Sequence, residues 1–248
     1  GLGVNGDTSV TIDFINCVDT SSCPIECQAD SSLNVSTGYD NANQTLYPTT
    51  NFPSFISTDP NWILVASPDP IVNLNGPAYV IAPNPIAWHI DNDAGWISPY
   101  DVFNNAVTPQ INGSNQIIDT SYTFRNCFCL CEADSITIDL LVSADNYAEI
   151  SLLSDYQTNY QSLNIIGALA TGFPTSNFNY QTHFVYNTFL NEGRHCLVAD
   201  LSNSGWSATG LKIEGSISSN SGFVENFNCC DPCIFGCMDP AACNYTPD

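Results

Sequence analysis

The sequence predicts an all-β protein, an antiparallel β-sandwich with disulfide-rich N- and C-terminal extensions. Apolar residues recur at a period of two in short runs, which puts one set on a core face and the other toward solvent. Gly, Pro, Asn and Asp separate these runs, and no stretch keeps a convincing helical period. The 12 cysteines gather at residues 17–27, 127–131 and 229–243, with Cys196 between them.

Residues 1–30 read as an N-terminal strand followed by a Cys loop. Val10, Ile12 and Phe14 alternate with Thr11, Asp13 and Ile15, so a strand is predicted over 9–16. It has no hairpin partner nearby. Unmet backbone groups need a sheet edge, so it pairs either back onto its own sandwich or onto a second molecule.

Residues 31–218 read as the sandwich. Residues 31–61 are polar and pinned by Tyr39, Tyr47, Phe52 and Phe55. Strands follow over 62–66 and 78–82, each closed by prolines, and Trp88 and Trp96 mark two short runs. A long strand is predicted over 122–131. Ile136, Ile138 and Leu140 then alternate with Ser135, Thr137 and Asp139. The Ser143-Ala144-Asp145-Asn146 turn signal predicts a central hairpin, with 147–153 as its return strand. Residues 164–179 read as a Gly/Pro-punctuated loop, and 183–189, 194–201 and 210–217 as the last strands. Residues 219–248 form a Cys-rich connector.

Only 11% of the 248 residues are charged, and 25 acidic against 3 basic residues give a net charge of -22. Such a surface repels nucleic acid and anionic membrane. It attracts divalent cations, and Ca²⁺ suits Asp-rich loops in an extracellular setting. Asp91, Asp93, Asp145, Asp239 and Asp248 are the candidate ligands. No apolar run approaches transmembrane length, so no membrane insertion is expected. No signal peptide is present, and Gly1 reads as a mature N-terminus or an internal boundary.

An even cysteine count of this size points to disulfides in an oxidising compartment. The candidates are Cys17, Cys23, Cys27, Cys127, Cys129, Cys131, Cys196, Cys229, Cys230, Cys233, Cys237 and Cys243. Zinc is the weaker reading, because Cys230-x-x-Cys233 supplies half a site and His89, His183 and His195 are scattered.

Asp59-Pro-Asn-Trp62, Trp88, Gly95-Trp-Ile-Ser98, Tyr122-Thr-Phe124, Ala144-Asp-Asn146, Leu190-Asn-Glu-Gly193, His195-Cys-Leu-Val198 and Gly210-Leu-Lys-Ile213 fall in an ordered series. The series resembles bacterial secreted jelly-roll domains related to galactose-binding-like modules, over roughly residues 31–218. The sequence departs from that pattern at Cys127, Cys129 and Cys131, where Thr and aliphatics are usual, and at Leu153-Ser-Asp155. Residues 236–248, Gly-Cys-Met-Asp-Pro-Ala-Ala-Cys-Asn-Tyr-Thr-Pro-Asp, resemble a Cys-rich repeat of large bacterial surface proteins exported by the type IX secretion system. That resemblance implies one piece of a longer secreted protein, with the repeat as a rigid connector.

Candidate chemistry is sparse. Asp91 with Asp93, or Asp145 with Glu149, are the carboxylate pairs for hydrolysis. His195 and Cys196 are neighbours on a strand and so point to opposite faces. No nucleophile-elbow motif is present. Trp206, in a polar loop, is the candidate for stacking on a glycan. The expectation is a non-enzymatic extracellular structural protein, a subunit or repeat of a surface appendage, filament or adhesin. Its expected partner is itself, as a homo-oligomer or filament, through Val10, Ile12 and Phe14. The alternative is a carbohydrate-binding module of a larger secreted enzyme, with surface glycans as partner.

Overall fold

The computed structural model describes residues 31–49, 56–68, 74–83, 88–90, 92–101, 120–130, 132–154, 163–170, 177–203, 209–220 and 223–224. All of them fall within one compact unit, Cys27–Cys230. Val10, Ile12, Phe14, Cys17, Cys23, Cys27, Asp91, Cys131, Trp206, Cys229, Cys230, Cys233, Cys237, Asp239, Cys243 and Asp248 lie outside the described residues.

The described regular structure is all strand: β1 (Ser32–Asn34), β2 (Tyr39–Asp40), β3 (Thr45–Leu46), β4 (Thr58–Ala66), β5 (Gly76–Ile81), β6 (Trp96–Ser98), β7 (Thr120–Leu130), β8 (Asp134–Asp145), β9 (Tyr147–Leu153), β10 (Leu163–Ala168), β11 (Thr182–Leu190), β12 (Gly193–Asn203), β13 (Gly210–Ser218) and β14 (Phe223–Val224). The main ladder is antiparallel and runs β10-β9-β12-β7-β4-β5-β6-β13-β8-β11. β1 adds to β13 and β14 to β7, while β2 and β3 form a small separate ribbon.

The ladder folds over on itself, so its two halves share one core. Ala148, Ile150 and Leu152 of β9 and Leu197, Ala199 and Leu201 of β12 belong to the same buried cluster as Ile136, Ile138 and Leu140 of β8 and Leu211, Ile213 and Ile217 of β13. Period-two alternation delivers each of these sets to one face. The molecule is an all-β antiparallel sandwich.

The predicted central hairpin is not formed. β8 and β9 follow one another through Asn146, but β8 pairs with β11 and β13, whereas β9 pairs with β10 and β12. The Asp-Asn signal sets a bend. It does not choose hydrogen-bond partners, and core closure sends the two strands into opposite halves. Burial continues through the bend, at Ser143, Ala144, Asp145 and Ala148.

Residues 164–179 also differ from expectation, because β10 occupies 163–168 and pairs with β9 across a bulge between Ile165 and Gly167. The glycine that reads as loop punctuation has a packing role. A Cβ at Gly167 would run into the Phe184 ring on β11. The sheet also continues past 218, where Phe223 and Val224 pair with Leu130 and Cys129.

The polar stretch after residue 31 is partly buried, because it latches the halves together. Asp59 is fully buried, and its carboxylate accepts the Gly38 N–H at 2.6 Å and the Asn61 N–H at 2.9 Å. Burial pushes the Asp59 carboxyl up to about 7, against the opposing pull of the Gly38, Asn61 and Trp62 N–H groups. Trp62 donates its indole N–H to the Val35 carbonyl at 3.0 Å. Gly38 has φ +64°, and a Cβ there would press on the Gly95 backbone. The Thr37 hydroxyl donates to the Gly95 carbonyl and accepts the Ile213 N–H, which ties β13 to the loop before β6.

Candidate functional site

The outer face of β6–β13–β8–β11 carries the candidate site. β8 residues 135, 137 and 139 point away from the core, as their polar character demands. On β11 the alternation is half-buried to exposed, with His183, Val185, Asn187 and Phe189 outward. Register sets Phe189 opposite Ser135, Asn187 opposite Thr137, Val185 opposite Asp139 and His183 opposite Leu141. On the other side of β8, Ser218 lies opposite Thr137, Ser216 opposite Asp139 and Glu214 opposite Leu141.

This surface is open. Val185 is 52% exposed and Phe189 62%. Along the same face runs a polar ladder. The Thr137 hydroxyl donates to Asn187 Oδ1 at 2.7 Å, His183 Nε2 lies 2.7 Å from Asp139 Oδ1, and Gln181 Nε2 donates to Glu214 Oε2 at 3.0 Å. Exposed hydrophobics here stand among hydrogen-bonded amides, hydroxyls and carboxylates.

The far end of the same face is capped. Trp88 and Trp96 pack with ring centroids 4.2 Å apart, joined by Ile81, Tyr79 and Phe178. A side chain at Gly210 would strike both indoles, so only glycine admits this cap. Trp88 donates its indole N–H to Asp145 Oδ2 at 3.1 Å, and Trp96 donates to the His89 carbonyl at 2.8 Å. Burial pushes the Asp145 carboxyl up to about 6, and the Trp88 bond pulls against that rise.

The predicted site residues are distributed as follows. Cys127 and Cys196 face each other across β7 and β12 and form a disulfide. Cys129 is also disulfide-bonded. Of the calcium candidates, Asp93 is exposed on the surface and Asp145 is buried against Trp88. Among the described residues no group of three or more His, Cys, Asp or Glu is gathered as a metal site. Asp145 and Glu149 do not converge. Asp145 accepts from Trp88, whereas Glu149 is on β9 opposite Asp200 and hydrogen-bonds the Tyr147 hydroxyl. His195 is buried against Phe128, and its Nε2 lies 2.8 Å from the Asn191 carbonyl oxygen. Trp62, Trp88 and Trp96 are buried and offer no stacking face.

Sequence reasoning did not single out Val185, Asn187 and Phe189, and it weighed His183 only as a scattered zinc ligand. The signal was present in Thr182-His-Phe-Val-Tyr-Asn-Thr-Phe-Leu190. Its core phase is filled by Phe184 and Tyr186, so Val185 and Phe189 are apolar in the wrong phase. Out-of-phase apolar residues on a strand fall on its solvent face.

No protein-family model matches the chain, and no curated protein matches it. Among solved structures it is similar to the enzymatically active domain of bacteriophage CBA120 tailspike protein 4, at 14% identity and a TM-score of 0.38, covering 64% of this chain and 19% of that one. It thus spans a small part of the tailspike. It is also similar to the K3 cleaved adhesin domain of Lys-gingipain from Porphyromonas gingivalis, at 10% identity and a TM-score of 0.37, covering 76% and 98% of the two chains. A third similarity is to a family 29 carbohydrate-binding module from Piromyces equi, at 8% identity and a TM-score of 0.30, covering 78% and 93%.

Proposed function

We propose that the chain is a non-enzymatic extracellular module of structural or adhesive kind, which engages its target through the outer face of β13–β8–β11. The observation that carries this is the placement of Val185 and Phe189, exposed and flanked by Thr137, Asn187, Asp139 and His183 in fixed hydrogen bonds. Preset polar groups cost little ordering entropy when they meet a hydroxyl-rich partner. The net charge of -22 disfavours anionic partners, so a neutral polysaccharide is the target chemistry. A disulfide across β7 and β12 supports an oxidising, extracellular setting.

Affinity electrophoresis through gels containing neutral polysaccharides tests this. Retardation by at least one glycan is expected, and Phe189→Ala and Asp139→Asn should each weaken it about tenfold, a loss of about 1.4 kcal/mol. Unchanged retardation in both variants removes the face from consideration.

A second reading is a filament or appendage subunit. It is favoured by β11, nine residues long, being the last strand of the main ladder among the described residues. Electron microscopy separates the two: ordered polymers with no glycan retardation favour the subunit.

A further inference from the structure

On the open face four side chains form a square. Val185 and Asn187 on β11 lie opposite Asp139 and Thr137 on β8. The Thr137 hydroxyl donates to Asn187 Oδ1 at 2.7 Å, and His183 Nε2 lies 2.7 Å from Asp139 Oδ1. Each bond holds a side chain by one terminal atom and leaves the other over. Among the described residues Asn187 Nδ2 and Asp139 Oδ2 meet no further partner. The square thus presents one amide donor and one carboxylate acceptor at diagonal corners. The Val185 isopropyl group, 52% exposed, stands at a third corner.

We propose that this square is a subsite for a single neutral hexopyranose unit. The apolar face of the ring lies on Val185. One ring hydroxyl accepts from Asn187 Nδ2, and a neighbouring hydroxyl donates to Asp139 Oδ2. The inference rests on the reading of this face as a polysaccharide-binding surface, and it assigns Asn187 and Asp139 as the residues that decide which sugar is taken.

Span and chemistry both lead there. Diagonal neighbours across two antiparallel strands are about 7–8 Å apart, a gap that one sugar ring with its hydroxyls bridges. A sugar ring is apolar across its C–H face and both donates and accepts at its edge. The square offers the complement of each property. A wholly apolar partner would bury Asn187 Nδ2 and Asp139 Oδ2 without bonds, which costs free energy at both atoms. A uronate or sulfated sugar would bring negative charge against the Asp139 carboxylate and against a chain of net charge -22. A hydroxyl donating to a carboxylate forms the stronger of the two contacts, so the sugar must carry that hydroxyl unsubstituted. Because Thr137 and His183 already hold the two side chains, little ordering entropy is lost when the sugar binds.

Affinity electrophoresis with two charge-matched variants tests the subsite. Asn187→Asp keeps an oxygen for the Thr137 hydroxyl and exchanges the amide donor for an acceptor, at an exposed position where the fold tolerates the change. Ser32→Asp adds the same charge at an exposed position on β1, away from the square. In a gel of a neutral polysaccharide that retards the parent, Asn187→Asp should lower the apparent affinity about tenfold or more, and Ser32→Asp should stay within about twofold. Parental retardation of Asn187→Asp, or an equal loss in Ser32→Asp, overturns the inference. The reading of the face survives that result where Phe189→Ala still loses retardation. A parent retarded by no neutral polysaccharide overturns the reading, and the inference with it.

Discussion

One sheet face is finished in two ways. At the end formed by Trp96, Gly210 and Asp145, loops return over the strands and bury two indoles and a carboxylate. At the end formed by Ser135, Val185 and Phe189, the same strands stand bare. Backbone pairing is continuous across both ends, so the difference lies in side chains and loops. The capped end converts surface into core and contributes stability. The open end leaves hydrophobic area exposed, which costs solubility, and it is the face that the proposed partner would cover.

The largest expected contrast is in stability. Trp96→Ala opens a cavity beside Trp88 and Ile81 and should cost about 3–5 kcal/mol. Phe189→Ala, with its ring in solvent, should stay within about 0.5 kcal/mol. Denaturant titration of the disulfide-intact protein measures both. Equal losses would mean that the open end is as packed as the capped one.

Next in size is a pH effect confined to the capped end. Asp145 has a folded-state value of about 6, raised above 3.8 by burial. The folded protein therefore holds a proton that the unfolded chain has released. Below about pH 4 both states are protonated and no penalty applies. Stability from this group falls as pH rises from about 4 to 6 and is level above, by about 3 kcal/mol in all. Asp145→Asn keeps an oxygen for the Trp88 indole and removes the ionisation. The variant should match the parent at pH 4 and exceed it at pH 7, with the difference growing between those values. Asp59 carries the same sign to about pH 7. There an amide fails, because both carboxylate oxygens accept N–H groups, from Gly38 and Asn61, and an amide NH₂ would meet a donor. Asp59→Asn should destabilise by about 1–3 kcal/mol, read from the same titrations.

Strand identity was legible wherever a single face is buried. β8 alternates cleanly, and its Ser135, Thr137 and Asp139 do face outward. Connectivity was not legible, because the bend at Asn146 carries the residues of a hairpin turn while the core demands a crossover. β10 was hidden by Gly167, whose use is contact with Phe184 rather than a turn. The Asp59-Pro-Asn-Trp62 motif was visible as a pattern. Its work as an N–H acceptor for Gly38 depends on a glycine 21 residues away, and local sequence holds no trace of that pairing. The site was half legible: the polar phase of β8 could be read, but the outward Val185 and Phe189 passed as ordinary strand hydrophobics.

The smallest expected effect is the most pointed comparison, because a polar side-chain pair can be taken from each end. At the open end His183 Nε2 is 2.7 Å from Asp139 Oδ1, with the two side chains 55% and 54% exposed. At the capped end Trp88 Nε1 is 3.1 Å from Asp145 Oδ2, with both residues buried. Distance alone ranks the exposed pair first. Burial reverses the order, since water competes for exposed partners and salt screens any charge between them. A double-mutant cycle on His183→Ala and Asp139→Ala should therefore give a coupling of about 0–1 kcal/mol that vanishes in 1 M salt. The cycle on Trp88→Phe and Asp145→Ala should give about 1–3 kcal/mol and hold in salt, because an unpartnered buried group bears its full desolvation cost. Coupling of equal size and equal salt response at both ends would show that the open face is covered in the free protein, and would remove the basis for assigning it to a partner.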